Sequence, residues 1–227
     1  MPPSRAFPLV SRLATATATL MFGLIVVGSV VRTTGSGLAC PDWPLCQGRL
    51  IPPFEFHVLI EWFHRLLALG VGLLLFATAG VALRARATRA RLGGLALLAV
   101  ALYFAQALLG ALTVWRLLDP SVVSGHLALA LLLFATLLTI ALVARHESPG
   151  GAAAPSEAAP GGLRALAAAA TVLTFAQAVL GGMVSTNHAG LACPDWPTCD
   201  GEWFPPLSGL VGLQMAHRDG AYLLLAV

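Results

Sequence analysis

Residues 37–46 read GLACPDWPLC, and residues 190–199 read GLACPDWPTC. Nine of these ten positions are identical, in a stretch that holds Trp, two Pro and two Cys, so chance is an inadequate explanation. The register of 153 residues continues without a gap. It aligns Pro52-Pro53 with Pro205-Pro206, and His64-Arg65 with His217-Arg218. A further echo joins FAQALLG at 104–110 to FAQAVLG at 175–181, so the third and fifth apolar segments share a pattern. An internal repeat therefore organises the chain. Each copy is a spanning helix, a loop closed by a cysteine pair, and a second helix carrying a histidine.

Outward from the repeat, the solvent is lipid. Of 227 residues, 58% are hydrophobic and 10% charged, against about 25% charged in an ordinary soluble domain. The mean hydropathy is +0.84. Five segments reach the length of about 20 apolar residues that a membrane span needs: about 13–31, 58–83, 92–115, 122–144 and 164–184. A sixth begins near Leu210 and is still apolar at Val227, which predicts that the sequence is part of a longer protein. Arg5 and Arg12 before an apolar run resemble a signal peptide. That run is long enough to span, however, and it ends in Val31-Arg32-Thr33 instead of a small-residue cleavage site, which predicts a retained first helix. The net charge of +3 is dispersed, and no basic patch interleaved with aromatics is present, so nucleic acid is excluded as a partner.

Arginine placement predicts the orientation. Arg5 and Arg12 precede the first span, Arg84, Arg86, Arg89 and Arg91 follow the second, and Arg145 and Arg164 flank the connection after the fourth. These sides are expected to be cytoplasmic. Loop 185–209 has no Arg, and loop 32–57 balances Arg32 and Arg49 against Asp42 and Glu55, so both cysteine loops are expected outside. An oxidising outside lets Cys40 and Cys46, and Cys193 and Cys199, each form a disulfide. Residues 146–163 are rich in Gly, Ala and Pro and read as a flexible cytoplasmic linker. The expected fold is an all-α polytopic membrane protein of tandem four-helix bundles related by a pseudo-twofold repeat. The first bundle covers 1–145. The second begins at 164–227 and is incomplete.

Ionisable groups inside spans mark function. Glu61 and His64 stand at i, i+3 on one helix face. His64 and His217 lie about seven residues into their spans, about 10 Å deep, and His126 lies about five residues into the fourth span from the same side. Histidines at one depth on facing helices suit bis-imidazole haem ligation, because iron takes one nitrogen on each face of an apolar ring. Interhelical hydrogen bonding is the plainer alternative for the same residues. His57 and His188 sit at loop ends, and His146 at the cytoplasmic boundary. No compact Cys/His cluster has zinc-ligand spacing. The cysteine loops read first as staples that shape an outer cap, with a redox role as the alternative. Trp43 and Trp196 suit the membrane interface.

Together, TTGSGLACPDWP at 33–44, EWFHR at 61–65 and SGH at 124–126 resemble the heme A synthase family over nearly the whole chain. The resemblance implies an eight-helix membrane enzyme. It oxidises a ring methyl of heme O to a formyl group, through hydroxylated intermediates, to give heme A for cytochrome oxidase. It implies that His64 and His126 flank the substrate haem and that Glu61 is the catalytic acid beside it. It makes His217 one ligand of a cofactor heme b, whose second ligand lies on a helix beyond this sequence. It also makes the cysteine pairs outer disulfides and the location a bacterial inner membrane. Heme O synthase, an electron acceptor and a second copy of the chain are further partners it admits. The repeat sets Gln214 where Glu61 stands, which agrees with a chemical half and an electron-carrying half. Arg65 and Arg218 suit either haem propionates or a nearby acid. Two other functions fit parts of the pattern. A diheme electron carrier leaves Glu61 unexplained, and a thiol oxidoreductase leaves the histidines idle.

Overall fold

The computed structural model describes residues 3–150 and 160–226. Among them, six α-helices follow in order: α1 Pro3–Thr33, α2 Phe56–Arg84, α3 Arg86–Trp115, α4 Pro120–His146, α5 Gly161–Thr186 and α6 Gly209–Ala226. A short 3-10 turn, Ala189–Leu191, follows α5. Helices α1 to α5 are long and apolar enough to cross a membrane. In the most apolar stretch of α3 only 17% of residues are buried, and in α5 only 6%. The exposed remainder is apolar, so its compatible solvent is hydrocarbon, where a helix satisfies its own backbone groups. The chain is thus an all-α, multi-pass membrane protein.

Two boundaries differ from the sequence reading. Helix α1 starts at Pro3, so Arg5 and Arg12 lie on the helix and not in a tail before it. Pro8 within it forfeits one backbone hydrogen bond without ending the helix. The connection after the second span shrinks to one extended residue, Ala85, at φ −87° and ψ 135°. Arg84 ends α2 and Arg86 opens α3, so the arginine cluster wraps a helix–helix corner.

The chain divides into two compact units: Met1–Leu118 with Leu129–Ala154, and Asp119–Ala128 with Pro155–Val227. The first is packed from α1, α2, α3 and most of α4. Its fully buried large residues include Met21, Leu75, Leu92, Leu133, Leu137 and Ile140. Small residues such as Ala14, Ala18, Ala82, Ala96, Ala99 and Ala144 complete this core. Small side chains let helix backbones approach closely, which is how helices associate where lipid gives no hydrophobic drive. Thr17 and Thr78 share a buried hydrogen bond of 3.3 Å between α1 and α2. In the second unit, α5 and α6 repeat the α1–α2 arrangement. The start of α4 belongs to this unit because Ser124 bonds Thr186 at 3.0 Å and Leu127 covers Gly182. The expected linker 146–163 lies partly outside the described residues, at 151–159.

Candidate functional site

The loop after the first helix of each copy is built identically. Cys40–Cys46 and Cys193–Cys199 are disulfides, with Cα separations of 4.6 and 4.7 Å. Trp43-Pro44 and Trp196-Pro197 are both cis. After the second cysteine the chain reverses. Cys46 and Arg49 exchange two backbone hydrogen bonds of 3.1 Å, and Cys199 and Glu202 do the same at 2.9 and 3.0 Å. The two central residues of each reversal have positive φ: 54° and 71° at Gln47-Gly48, 51° and 79° at Asp200-Gly201. Asp-Gly and similar pairs favour this turn because glycine tolerates the left-handed region at no steric cost. The loop aspartate supports the turn. Asp42 accepts from the N–H groups of Gln47 at 2.5 Å and Gly48 at 2.7 Å. Asp195 accepts from Asp200 at 2.7 Å, Gly201 at 3.0 Å and the Thr198 hydroxyl. The Gly48 N–H holds the Asp42 carboxyl below its usual range, and the Thr198 hydroxyl with the turn N–H groups brings Asp195 down to about 2.

The second helix of each copy grips this loop with its arginine. Arg65 donates to the carbonyls of Asp42 at 2.6 Å, Leu45 at 2.5 Å and Cys40 at 2.9 Å. Arg218 donates to the matching carbonyls of Asp195 at 3.0 Å, Thr198 at 2.8 Å and Cys193 at 3.2 Å. Both hold loop backbone, and Arg65 also pairs with an acid, Glu61 Oε1, at 2.6 Å. The signal for that pair was present in the sequence, since a glutamate four residues before an arginine is a favoured helix pair.

Glu61 is buried, with 4% exposure. Its second oxygen accepts the Cys40 N–H at 2.9 Å, so the carboxylate joins α2 directly to the disulfide. Gln214 in the other copy is arranged differently. Its amide nitrogen lies 3.4 Å from the Gly190 carbonyl, and its oxygen is buried with no hydrogen-bond partner among the described residues.

His64 and His217 are each the ninth residue of their helices, about 12 Å along the axis. Each imidazole lies against a glycine of the preceding helix. A Cβ at Gly28 would stand 3.0 Å from His64 Cε1, and one at Gly181 would stand 2.9 Å from His217 Cε1. Extending the repeat register to α1 and α5 pairs these two glycines. Nothing larger than glycine permits that approach without moving the ring. His217 Nδ1 is 2.9 Å from Gln177 Nε2. His64 Nδ1 is buried with no hydrogen-bond partner among the described residues. His126 is the seventh residue of α4, in the stretch that packs with α5. His57 is exposed and bonds Ser36 at 2.9 Å; His188 and His146 are exposed. Trp43 meets Trp115 edge-on at 6.4 Å, and Trp196 is 74% exposed.

The donor set fits an iron porphyrin. Imidazole is a haem-iron ligand, and a ligating ring needs its other nitrogen held and its plane fixed. Gly181 and Gly28 back the rings of His217 and His64, and Gln177 lies against His217 Nδ1. The glycine seats and Gln177 were not among the candidates drawn from the sequence.

Residues 11–227 match the COX15-CtaA family, described as cytochrome oxidase assembly protein. The chain is 35% identical over 219 residues to the heme A synthase of Symbiobacterium thermophilum, covering 93% of this chain and 71% of that protein. It is 33% identical to the heme A synthase of Shewanella oneidensis, covering 84% and 62%. The heme A synthase of Halalkalibacterium halodurans is 31% identical, at 89% and 69%. With half-buried histidines backed by glycine in two copies of one disulfide-capped helix pair, and relatives matching over most of its length, the chain belongs to the COX15-CtaA family of cytochrome oxidase assembly proteins.

Proposed function

We propose that this protein is a heme A synthase, an enzyme that oxidises a ring methyl of heme O to the formyl group of heme A. One observation carries the assignment of the chemistry to the first copy. The second copy builds the same disulfide loop, the same reversal and the same arginine clamp with Gln214 in place of Glu61. The loop therefore does not need the carboxylate in order to form. A buried charge is costly in a membrane, so its presence one turn from His64 calls for a function. Oxidation of a methyl withdraws electrons from the carbon, and a nearby carboxylate stabilises the positive charge that develops.

In this reading the imidazole of His64 binds the substrate ring, and Glu61 serves as the catalytic residue. His217 holds a resident heme b, with Gln177 on its Nδ1. Bound there, that group supplies one-electron transfer. The disulfides cap the sites on the outer face of a bacterial inner membrane, with the N-terminus cytoplasmic. The arginines at the α2–α3 corner support that orientation. We place the substrate half in the unit of α1 to α3 and the cofactor half in the unit of α5 and α6, which also takes in Asp119–Ala128 of the span first assigned to 1–145.

The test is haem extraction and chromatography from membranes of cells that make heme O, with the wild-type chain or with Glu61→Gln. The variant is expected to keep bound haem and to lose heme A production. Heme A made at the wild-type rate by Glu61→Gln would remove the residue from the chemistry. Absence of heme A with the wild-type chain would remove the assignment itself.

A further inference from the structure

Two clefts of the first unit, away from its histidine and its disulfide, meet on α1. The first holds about 510 Å³ and lies where the start of α1 packs on the end of α4. Ser11, Arg12, Thr15, Arg145 and Ser148 line it, and Ala16 stands at its membrane-ward end. The second holds about 540 Å³ and begins at the same Ala16. It runs along the α1–α2 seam past Thr19, Leu20, Gly23 and Val27 on one side and Leu67 and Leu74 on the other.

The two linings differ in kind. Arg12 and Arg145 are exposed, and neither has an acidic partner among the described residues. Glu147, two positions beyond Arg145, is taken by Arg91 at 3.0 Å. The Ser11 and Ser148 hydroxyls donate to the carbonyls of Ala141 and Ala144, at 3.2 and 2.7 Å. The first cleft therefore presents uncompensated guanidinium groups. The second is apolar apart from Thr19, and a Cβ at Gly23 would meet nothing within 4 Å, so its floor is open.

Guanidinium groups match phosphate oxygens in pairs and are weakly hydrated, which suits them to the edge of a membrane. Basic pockets between spanning helices at that level recognise anionic headgroups. A free phosphate has no use for the groove, whereas a phospholipid occupies both clefts. Residues 16 to 27 span about 16 Å along α1, close to half of a hydrocarbon core of about 30 Å. That is the depth one leaflet's acyl chain fills. We propose that the two clefts form one binding site for an anionic phospholipid, with its phosphate between Arg12 and Arg145 and one acyl chain along Ala16, Gly23 and Val27. At its far end the groove reaches Val27 and Leu67, beside Gly28 and one turn from His64. A bound chain fills the seam beneath the histidine seat.

The test needs no haem chemistry. The purified full chain in detergent is titrated with phosphatidylglycerol and, separately, with phosphatidylcholine of the same chains, and lipid retained per chain is counted by native mass spectrometry. Wild type is expected to hold one phosphatidylglycerol in preference to phosphatidylcholine. An arginine beside an anionic lipid headgroup contributes about fivefold in binding, so Arg12→Gln with Arg145→Gln is expected to weaken phosphatidylglycerol binding about 25-fold. Arg86→Gln with Arg89→Gln removes the same charge at the α2–α3 corner and is expected to leave it unchanged. Gly23→Trp fills the groove and is expected to weaken it, and inorganic phosphate is expected not to displace the lipid. Equal retention of the two lipids, or equal loss in the two arginine pairs, overturns the proposal, since charge is then not read at this cleft. Displacement by phosphate, or unchanged binding in Gly23→Trp, overturns it as well, since the groove then holds no chain. If the Arg12/Arg145 variant cannot be purified, Gly23→Trp, at an open position, carries the test.

Discussion

Replacing Arg65 by Met should open the first cysteine loop far more than the same change at Arg218 opens the second. The two arginines make matching bonds to three loop carbonyls, so those losses are similar. Only Arg65 also neutralises a buried acid. The Glu61 side chain is 5% exposed and Arg65 15%. Removing one partner of a buried ion pair costs about 3–5 kcal/mol, because the other charge is stranded. At about 1.4 kcal/mol per tenfold, the 3–5 kcal/mol corresponds to an extra loss of about 10²- to 4 × 10³-fold in the loop's opening equilibrium. Hydrogen exchange read by mass spectrometry on peptides spanning Cys40 and Cys193 reports that equilibrium directly. The Cys40 amide is a suitable probe, since it donates to Glu61 Oε2. Arg65→Met with Glu61→Gln should recover most of the extra protection, since no charge is then stranded. Equal exchange in Arg65→Met and Arg218→Met, or no recovery in the double variant, would refute the stranded-charge reasoning.

Other outcomes follow from the same geometry. Gly181→Ala and Gly28→Ala each place a methyl within about 3 Å of an imidazole carbon, an overpacking worth about 1–3 kcal/mol; lower haem content and a shifted haem absorbance in the purified variants check this. Asp195 titrates below its unfolded value of 3.8, at about 2. Its contribution to loop stability is therefore intact above pH about 4 and is lost as pH falls towards about 2. Thr198→Ala should shift that loss to higher pH, as read by hydrogen exchange of the loop across the acid range. Gly201→Ala forces a Cβ into φ +79°, at a cost of about 1–2 kcal/mol; it should speed exchange at the Cys199–Glu202 reversal and leave the first loop unchanged.

Most of the fold could be read from the order of residues. Spans are long apolar runs, and lipid enforces helix on each of them, so composition and length suffice. The repeat was visible because both copies keep their rare residues in one register. Disulfide pairing followed from two cysteines six residues apart on a side read as oxidising. The seating of each imidazole on a glycine of the preceding helix required the structure. So did the assignment of Asp119–Ala128 to the second unit, which depends on how one helix meets two neighbours.

The candidate site divides along the same line. The sequence by itself determined which residue types stand at the intramembrane level: Glu61, His64, His126 and His217. It determined this because depth along a helix is a count of residues. What each side chain touches was decided only by tertiary structure, since helix partners are far apart in sequence and are chosen by packing. Arg65 and Arg218 turn to loop carbonyls because the cysteine loop folds back over their helix. Gly28 and Gly181 matter because an imidazole from the next helix lies against them. Gln177 becomes a partner of His217 because the register of α5 against α6 brings the two side chains together.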